Sequence, residues 1–104
     1  MTQTLAQVLP PEREGHFQTR VVNRMHFFGW RVYHPWLSVH SASGWPDLFA
    51  VRGERAIAAE LKTDKAPPPR PSQQAWLDEL GAVPGIESYC WRPRDMDWIE
   101  RVLR

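Results

Sequence analysis

Four prolines crowd into one short stretch, Pro67, Pro68, Pro69 and Pro71, and they restrict the fold more than any other feature. Proline locks φ and carries no amide hydrogen, so a run of prolines neither continues a helix nor sits inside a sheet. Thr63 to Pro71 is therefore expected to be an extended connector. It separates the regular elements of the chain into two sets. With 104 residues, those sets belong to one compact domain and not to two independent cores.

Before the connector, Phe17, Val21, Met25 and Phe28 recur at spacings of four, four and three, which gives a helix with one buried stripe. Glu12 and Glu14 suit its N-terminal end and Gly29 its end. Trp30 to His34 alternates like a strand, and Pro35 to Pro46 reads as a loop. Leu48 to Val51 and Ala56 to Lys62 flank the turn residues Arg52 to Arg55 and form a hairpin. After the connector, Ser72 is expected to cap a helix through Ala75, Trp76, Leu77 and Leu80 that Gly81 closes. Ile86 to Trp91 is a further strand, and Asp95 can cap a last helix with Trp98, Ile99, Val102 and Leu103 on its apolar face. The order is helix, three strands, helix, strand, helix, an α/β sheet flanked by helices. Residues 1–11 are expected to be a loose tail and 12–104 the single domain. No internal repeat is visible.

Composition excludes several function classes. An apolar fraction of 42%, with six Trp and four Phe, supplies a core. Cys90 is the only cysteine and the four histidines are scattered, so neither a disulfide nor a zinc ligand set is expected. No apolar run reaches the length needed to span a bilayer, and Met1 to Pro11 lacks the pattern of an export signal. An intracellular, cytoplasmic protein with no membrane partner is expected. The formal charge of +1 is no signature of a nucleic-acid binder. Lys62, Lys65 and Arg70 do gather, as do Arg92, Arg94, Arg101 and Arg104, although a solvated surface commonly has such clusters.

The chemistry-bearing residues lie in the hairpin. Side chains two apart in a strand share a face, so Glu60 and Lys62 point the same way. Asp47 begins the partner strand, where pairing brings its carboxylate close to Glu60. Like charges so close ask for a cation between them, and hard oxygen ligands suit Mg²⁺ or Mn²⁺. Glu14, three residues before Phe17 and seven before Val21, aligns with the buried stripe, where a carboxylate is unusual; its plain alternative is an acid at the helix N-terminus. Seen alone, Asp47 is an ordinary turn residue and Glu60-x-Lys62 a salt-bridging strand face.

Gly44-Trp45-Pro46-Asp47-Leu48, then Glu60-Leu61-Lys62, then Ser72-Gln73-Gln74-Ala75-Trp76-Leu77 together resemble the virus-type replication-repair nuclease (VRR-NUC) domain. That family lies in the restriction-endonuclease-like superfamily, with its Asp followed at a distance by Glu-x-Lys. Glu14-x-x-Phe17, Gly29-Trp30 and Trp91-Arg92-Pro93 with Asp95 extend the likeness over nearly the whole chain. It implies a restriction-endonuclease-like core with a mixed central sheet, and a Mg²⁺- or Mn²⁺-dependent deoxyribonuclease. Asp47 and Glu60 would be metal ligands, helped by the Leu61 carbonyl and, through water, by Glu14. Lys62 would orient or help deprotonate the attacking water. Gln73, three before Trp76, would be the polar residue of the second helix facing the site. Branched, flap or end structures of DNA, in phage or mobile-element replication and repair, would be the substrates.

Lys65, Arg70, His40 and Trp45 are the expected substrate contacts: two basic residues near Lys62, the histidine seven before Asp47, and a loop aromatic suited to stacking on unpaired bases. Trp36 is a second such aromatic, and the other tryptophans are expected in the core. Cys90 reads as a buried strand residue. A homodimer would enlarge the small DNA-gripping surface. The competing classes are a non-catalytic DNA-structure-binding module and a Trp-rich protein-interaction domain.

Overall fold

The computed structural model describes residues 14–35 and 42–104; the expected N-terminal tail, Trp36 and His40 lie outside them. Helix α1 (Glu14–Phe27) buries Phe17, Val21 and Met25 completely, with Phe28 packed just beyond its end. Its stop is a Schellman motif. Gly29 takes φ +84°, its N–H bonds His26 O at 3.0 Å, and the Trp30 N–H bonds Met25 O at 2.9 Å. Only glycine adopts that backbone without cost, and the reversal drops Trp30 onto Met25 in the core.

Strands β1 (Arg31–Tyr33), β2 (Leu48–Arg52) and β3 (Arg55–Leu61) form an antiparallel meander, and β4 (Ile86–Trp91) adds to β3 in parallel. The sheet order is β1-β2-β3-β4, so the sheet is mixed, as expected. A parallel neighbour requires a crossover, and helix α2 (Pro71–Gly81) supplies it. A short turn, Pro93–Asp95, leads into the last helix, α3 (Met96–Leu103).

The hairpin turn is tighter than expected: Arg52 and Arg55 pair with each other, leaving only Gly53 and Glu54 between the strands. Gly53 at φ +60° permits so short a turn. The register then pairs Leu48 with Ala59 and Ala50 with Ile57. Those four and Leu61 face α1 and α3, where Ile99 and Leu103 complete the core with Trp30 and Trp91. Ala58 and Glu60 face the other way, toward α2, and both are buried.

Three local expectations need correction. Ser72 is not the cap of α2. Pro71 takes the first helical position, which its fixed φ and missing N–H suit, so Arg70 becomes the cap residue. Gly81 is the last residue of α2 but has no left-handed backbone; a Cβ there would lie 2.6 Å from Ser88 Oγ, so close helix–strand approach is what glycine serves. Trp98 is 41% exposed, lying edge-on to Tyr89, while Ile99 and Leu103 carry the buried face of α3.

The hairpin tip is tied to the end of α3. Arg52 donates to Phe28 O and Leu103 O, both at 2.8 Å, and to Arg104 O at 2.9 Å; Arg55 donates to Val102 O at 3.0 Å. The last carbonyls of a helix have no partner within it, and here two arginines and the Trp30 indole N–H, 2.9 Å from Leu103 O, satisfy them.

Candidate active site

The segment that delivers Asp47 is fastened to α2 before β2 begins. Gly44, at φ +84°, passes so near the start of α2 that a Cβ would sit 2.4 Å from Ser72 O and 2.9 Å from Gln73 N. Glycine is required twice, for the backbone angle and for the approach. The Trp76 indole donates to Ser43 O at 3.0 Å, and the Trp45 ring packs edge-on to Trp76 at 5.0 Å and beside Phe49 at 5.9 Å. Pro46 is fully buried. The helix and the loop are therefore packed as one body.

Extending the β2–β3 register by one residue beyond Leu48 and Ala59 places Asp47 opposite Glu60, on the α2 side of the sheet. Asp47 Oδ2 accepts the Leu61 N–H at 2.8 Å. The Lys62 N–H instead bonds Trp91 O at 2.9 Å. In a strand the N–H and C=O of one residue project to the same edge, so the Leu61 carbonyl also lies on the Asp47 side. Glu60 is 2% exposed, the one charged residue in the buried class among the described residues. A buried carboxylate is costly unless positive charge compensates it.

Lys62 shares the Glu60 face and reaches α2. Its Nζ donates to Gln73 Oε1 at 3.2 Å, and the Arg70 N–H donates to the same oxygen at 2.9 Å. Two donors converging on one atom fix the amide orientation: that atom must be the oxygen. Gln73 thus caps its own helix and holds the lysine.

A cavity of about 470 Å³ opens among these elements, bordered by Asp47, Glu60, Gln73, Arg70, Trp45 and, from α1, Gln18. Five of the residues expected from sequence meet here, and Lys62 joins them through Gln73. Lys65 does not; it is exposed in the turn after β3 and does not line the cavity. Glu14 is the first residue of α1, four before Gln18, but its side chain is outside the description, as is His40. Trp45 borders the cavity while being braced by Trp76 and Phe49. Gln18 was not anticipated, although its i, i+4 relation to Glu14 could have signalled it.

The donor set suits a small divalent cation. Two carboxylates and a main-chain carbonyl offer only oxygen, and magnesium is commonly held by one or two carboxylates with water and phosphate completing its shell. No group of three His, Cys, Asp or Glu converges among the described residues, at this cavity or elsewhere. Cys90 lies opposite Glu60 in β4, and burial pushes its thiol pKa up, which disfavours the reactive thiolate.

No family model and no curated protein matches the sequence, but solved structures do match the fold. A VRR_NUC domain protein superposes with a TM-score of 0.64 at 19% identity, over 90% of this chain and 87% of that one. Hjc, a Holliday junction resolvase from Archaeoglobus fulgidus, superposes with a TM-score of 0.56 at 22% identity, over 75% of this chain and 67% of that one. The chain has a restriction-endonuclease-like fold, and among the described residues no helix is long and apolar enough to cross a membrane.

Proposed function

We propose that this chain is a metal-dependent deoxyribonuclease of the VRR-NUC type, acting on branched, flap or end structures in DNA. The observation that carries this reading is that Asp47, Glu60 and Gln73 border one cavity, with Lys62 bonded to Gln73. The fold shared with a VRR_NUC domain protein and with a Holliday junction resolvase supports it.

Asp47 Oδ1, Glu60 and the Leu61 carbonyl would hold Mg²⁺ or Mn²⁺, with Glu14 as a further acid through water. The bound ion supplies electrostatic stabilisation of the charge that grows on a phosphodiester during hydrolysis. Asp47 uses its other oxygen to fix Leu61, so the main chain between Glu60 and Lys62 is held rigid. Lys62, aimed by Gln73, orients the attacking water and offsets phosphate charge. Arg70 stands at the cavity border, where a flanking phosphate would pass. Trp45 offers an edge against which an unpaired base could rest. A homodimer would present two such cavities to one branched substrate. A role in phage or mobile-element replication and repair inside the cell fits that substrate class.

The test is incubation of labelled linear, flap and four-way-junction DNAs with Mg²⁺ or Mn²⁺, comparing wild type with Asp47→Ala, Glu60→Ala and Lys62→Ala. Metal-dependent cleavage is expected, with losses of about 100-fold or more in each variant. Cleavage that survives Glu60→Ala, or excess chelator, would overturn the mechanism. Tight junction binding without cleavage would favour a DNA-structure-binding module.

A further inference from the structure

Between Lys62 and Gln73 the chain must cross the proline-rich connector, and prolines create a hydrogen-bonding deficit there. Pro67, Pro68, Pro69 and Pro71 contribute carbonyls but no amide donors, so the connector holds fewer donors than acceptors; within it the Ala66 N–H bonds Thr63 O at 3.2 Å. One side chain adds donors from outside. The Arg92 guanidinium, just after β4, donates through Nη1 to Thr63 O at 2.5 Å and Ala66 O at 2.8 Å, with Nη2 at 3.5 Å from Pro67 O.

Arg92 is itself well anchored. Its N–H bonds Asp95 Oδ2 at 2.8 Å, and the Asp95 N–H returns to Arg92 O at 2.8 Å. The same turn grips the connector a second time, the Arg94 N–H donating to Asp64 Oδ1 at 3.2 Å. Thr63 follows Lys62 directly, and the far end of the connector is Arg70, whose N–H shares the Gln73 oxygen with Lys62. The clamp therefore fixes the path of the chain between two residues whose side chains must meet at 3.2 Å.

We propose that Arg92 is a positioning residue for the active site. By holding the connector carbonyls it sets where Gln73 stands relative to Lys62, and so acts on catalysis through Gln73 without touching substrate. The catalytic part of this statement rests on the nuclease reading; the structural part does not.

Steady-state cleavage by Arg92→Ala and Arg92→Lys, each corrected for folded fraction, tests it together with Gln73→Ala and the Arg92→Ala/Gln73→Ala double variant. Arg92→Ala is expected to lower kcat about 10-fold with KM changed less than about 3-fold. A lysine in this place can reach the two carbonyls that share Nη1, so Arg92→Lys should recover most of the loss. In the Gln73→Ala background Arg92→Ala should cost nothing further, because the two act as one unit. Multiplying losses in the double variant, a raised KM with kcat intact, or an unchanged kcat per folded molecule would each overturn the proposal. If Arg92→Ala does not fold, Arg92→Gln, which keeps two of the three methylenes and a shorter, uncharged donor, takes its place. Amide hydrogen exchange gives a readout independent of cleavage. The Arg70 amide, bonded to Gln73 in the intact protein, should exchange faster in Arg92→Ala than in wild type. Unchanged protection overturns the clamp even if the wild type cleaves DNA, whereas faster exchange in a wild type that cleaves nothing would leave the clamp standing and sink the nuclease reading.

Discussion

Asp47 spends one carboxylate oxygen on the main-chain N–H of Leu61, 2.8 Å away, so an acid at the start of β2 braces the residue between Glu60 and Lys62. Its roles in architecture and in charge are separable by substitution. Asp47→Asn retains an acceptor for Leu61 and should melt near the wild type, whereas Asp47→Ala should lose about 1 kcal/mol. On the proposed nuclease reading Mg²⁺ or Mn²⁺ should stabilise the wild type by about 1.4 kcal/mol when the ion stands at tenfold its Kd, and both variants should abolish that stabilisation. Thermal melts with and without metal check this; a full metal-dependent shift in Asp47→Asn would exclude Asp47 as a ligand.

Gly44→Ala should be among the most damaging single-methyl changes in the chain. The new Cβ meets backbone atoms of Ser72 and Gln73, which cannot rotate away, and φ +84° adds strain. A loss of about 2 kcal/mol or more is expected, on the scale of other forced backbone shifts. Denaturant titration measures it, and a loss under about 0.5 kcal/mol, the ordinary surface value, would contradict the close approach.

Gly81→Ala should behave differently, because the obstacle there is the end of a side chain, Ser88 Oγ at 2.6 Å. Alone it should be close to neutral. In a Ser88→Ala background it should stabilise by about 0.5–1 kcal/mol, the helix propensity of alanine over glycine. Equal effects in both backgrounds, read from melting temperatures, would show that Ser88 is not the constraint.

The Arg55–Glu87 pair predicts a pH dependence. Arg55 Nε and Nη2 donate to Glu87 at 2.7 and 2.9 Å, and the Tyr89 hydroxyl donates to it at 2.7 Å. The arginine hydrogen bond holds Glu87 below its ordinary value of 4.5, while burial, with the Glu87 contact, pushes Tyr89 up to about 12. A depressed carboxylate stabilises the fold above its unfolded value and loses that contribution as pH falls through the lower folded one. Stability should therefore decline on acidification below about 4.5, and Glu87→Gln should flatten that decline by roughly 0.5–1 kcal/mol, the small size reflecting partial exposure. Urea midpoints across this range decide it; identical acid limbs would remove Glu87 from the account.

Much of this fold is written in short-range patterns. Period-four burial at Phe17, Val21 and Met25, strand alternation around Glu60, and the prolines of the connector each act within a few residues, so sequence shows them. The Asp47–Glu60 juxtaposition also follows from hairpin pairing. What sequence does not show depends on distant partners. Gly81 is small because of Ser88 on β4, Trp45 is braced by Trp76 on α2, and Arg92 completes a connector far upstream in the chain. Lys65 shows what nearness along the chain leaves open: it follows Lys62 by three residues, yet it sits in an exposed turn and does not line the cavity. Pro71 at the first turn of α2 was readable, since proline prefers that position, but Ser72 offered a competing cap.

The two-residue turn at Gly53 and Glu54 has an evolutionary consequence. Strand side chains alternate, so inserting or deleting a single residue in β3 would rotate Glu60 into the apolar layer and aim Leu61 at the cavity. The hairpin can therefore lengthen freely only at its turn, beyond the paired register, whereas an odd change within β2 or β3 between Asp47 and Glu60 needs a compensating bulge.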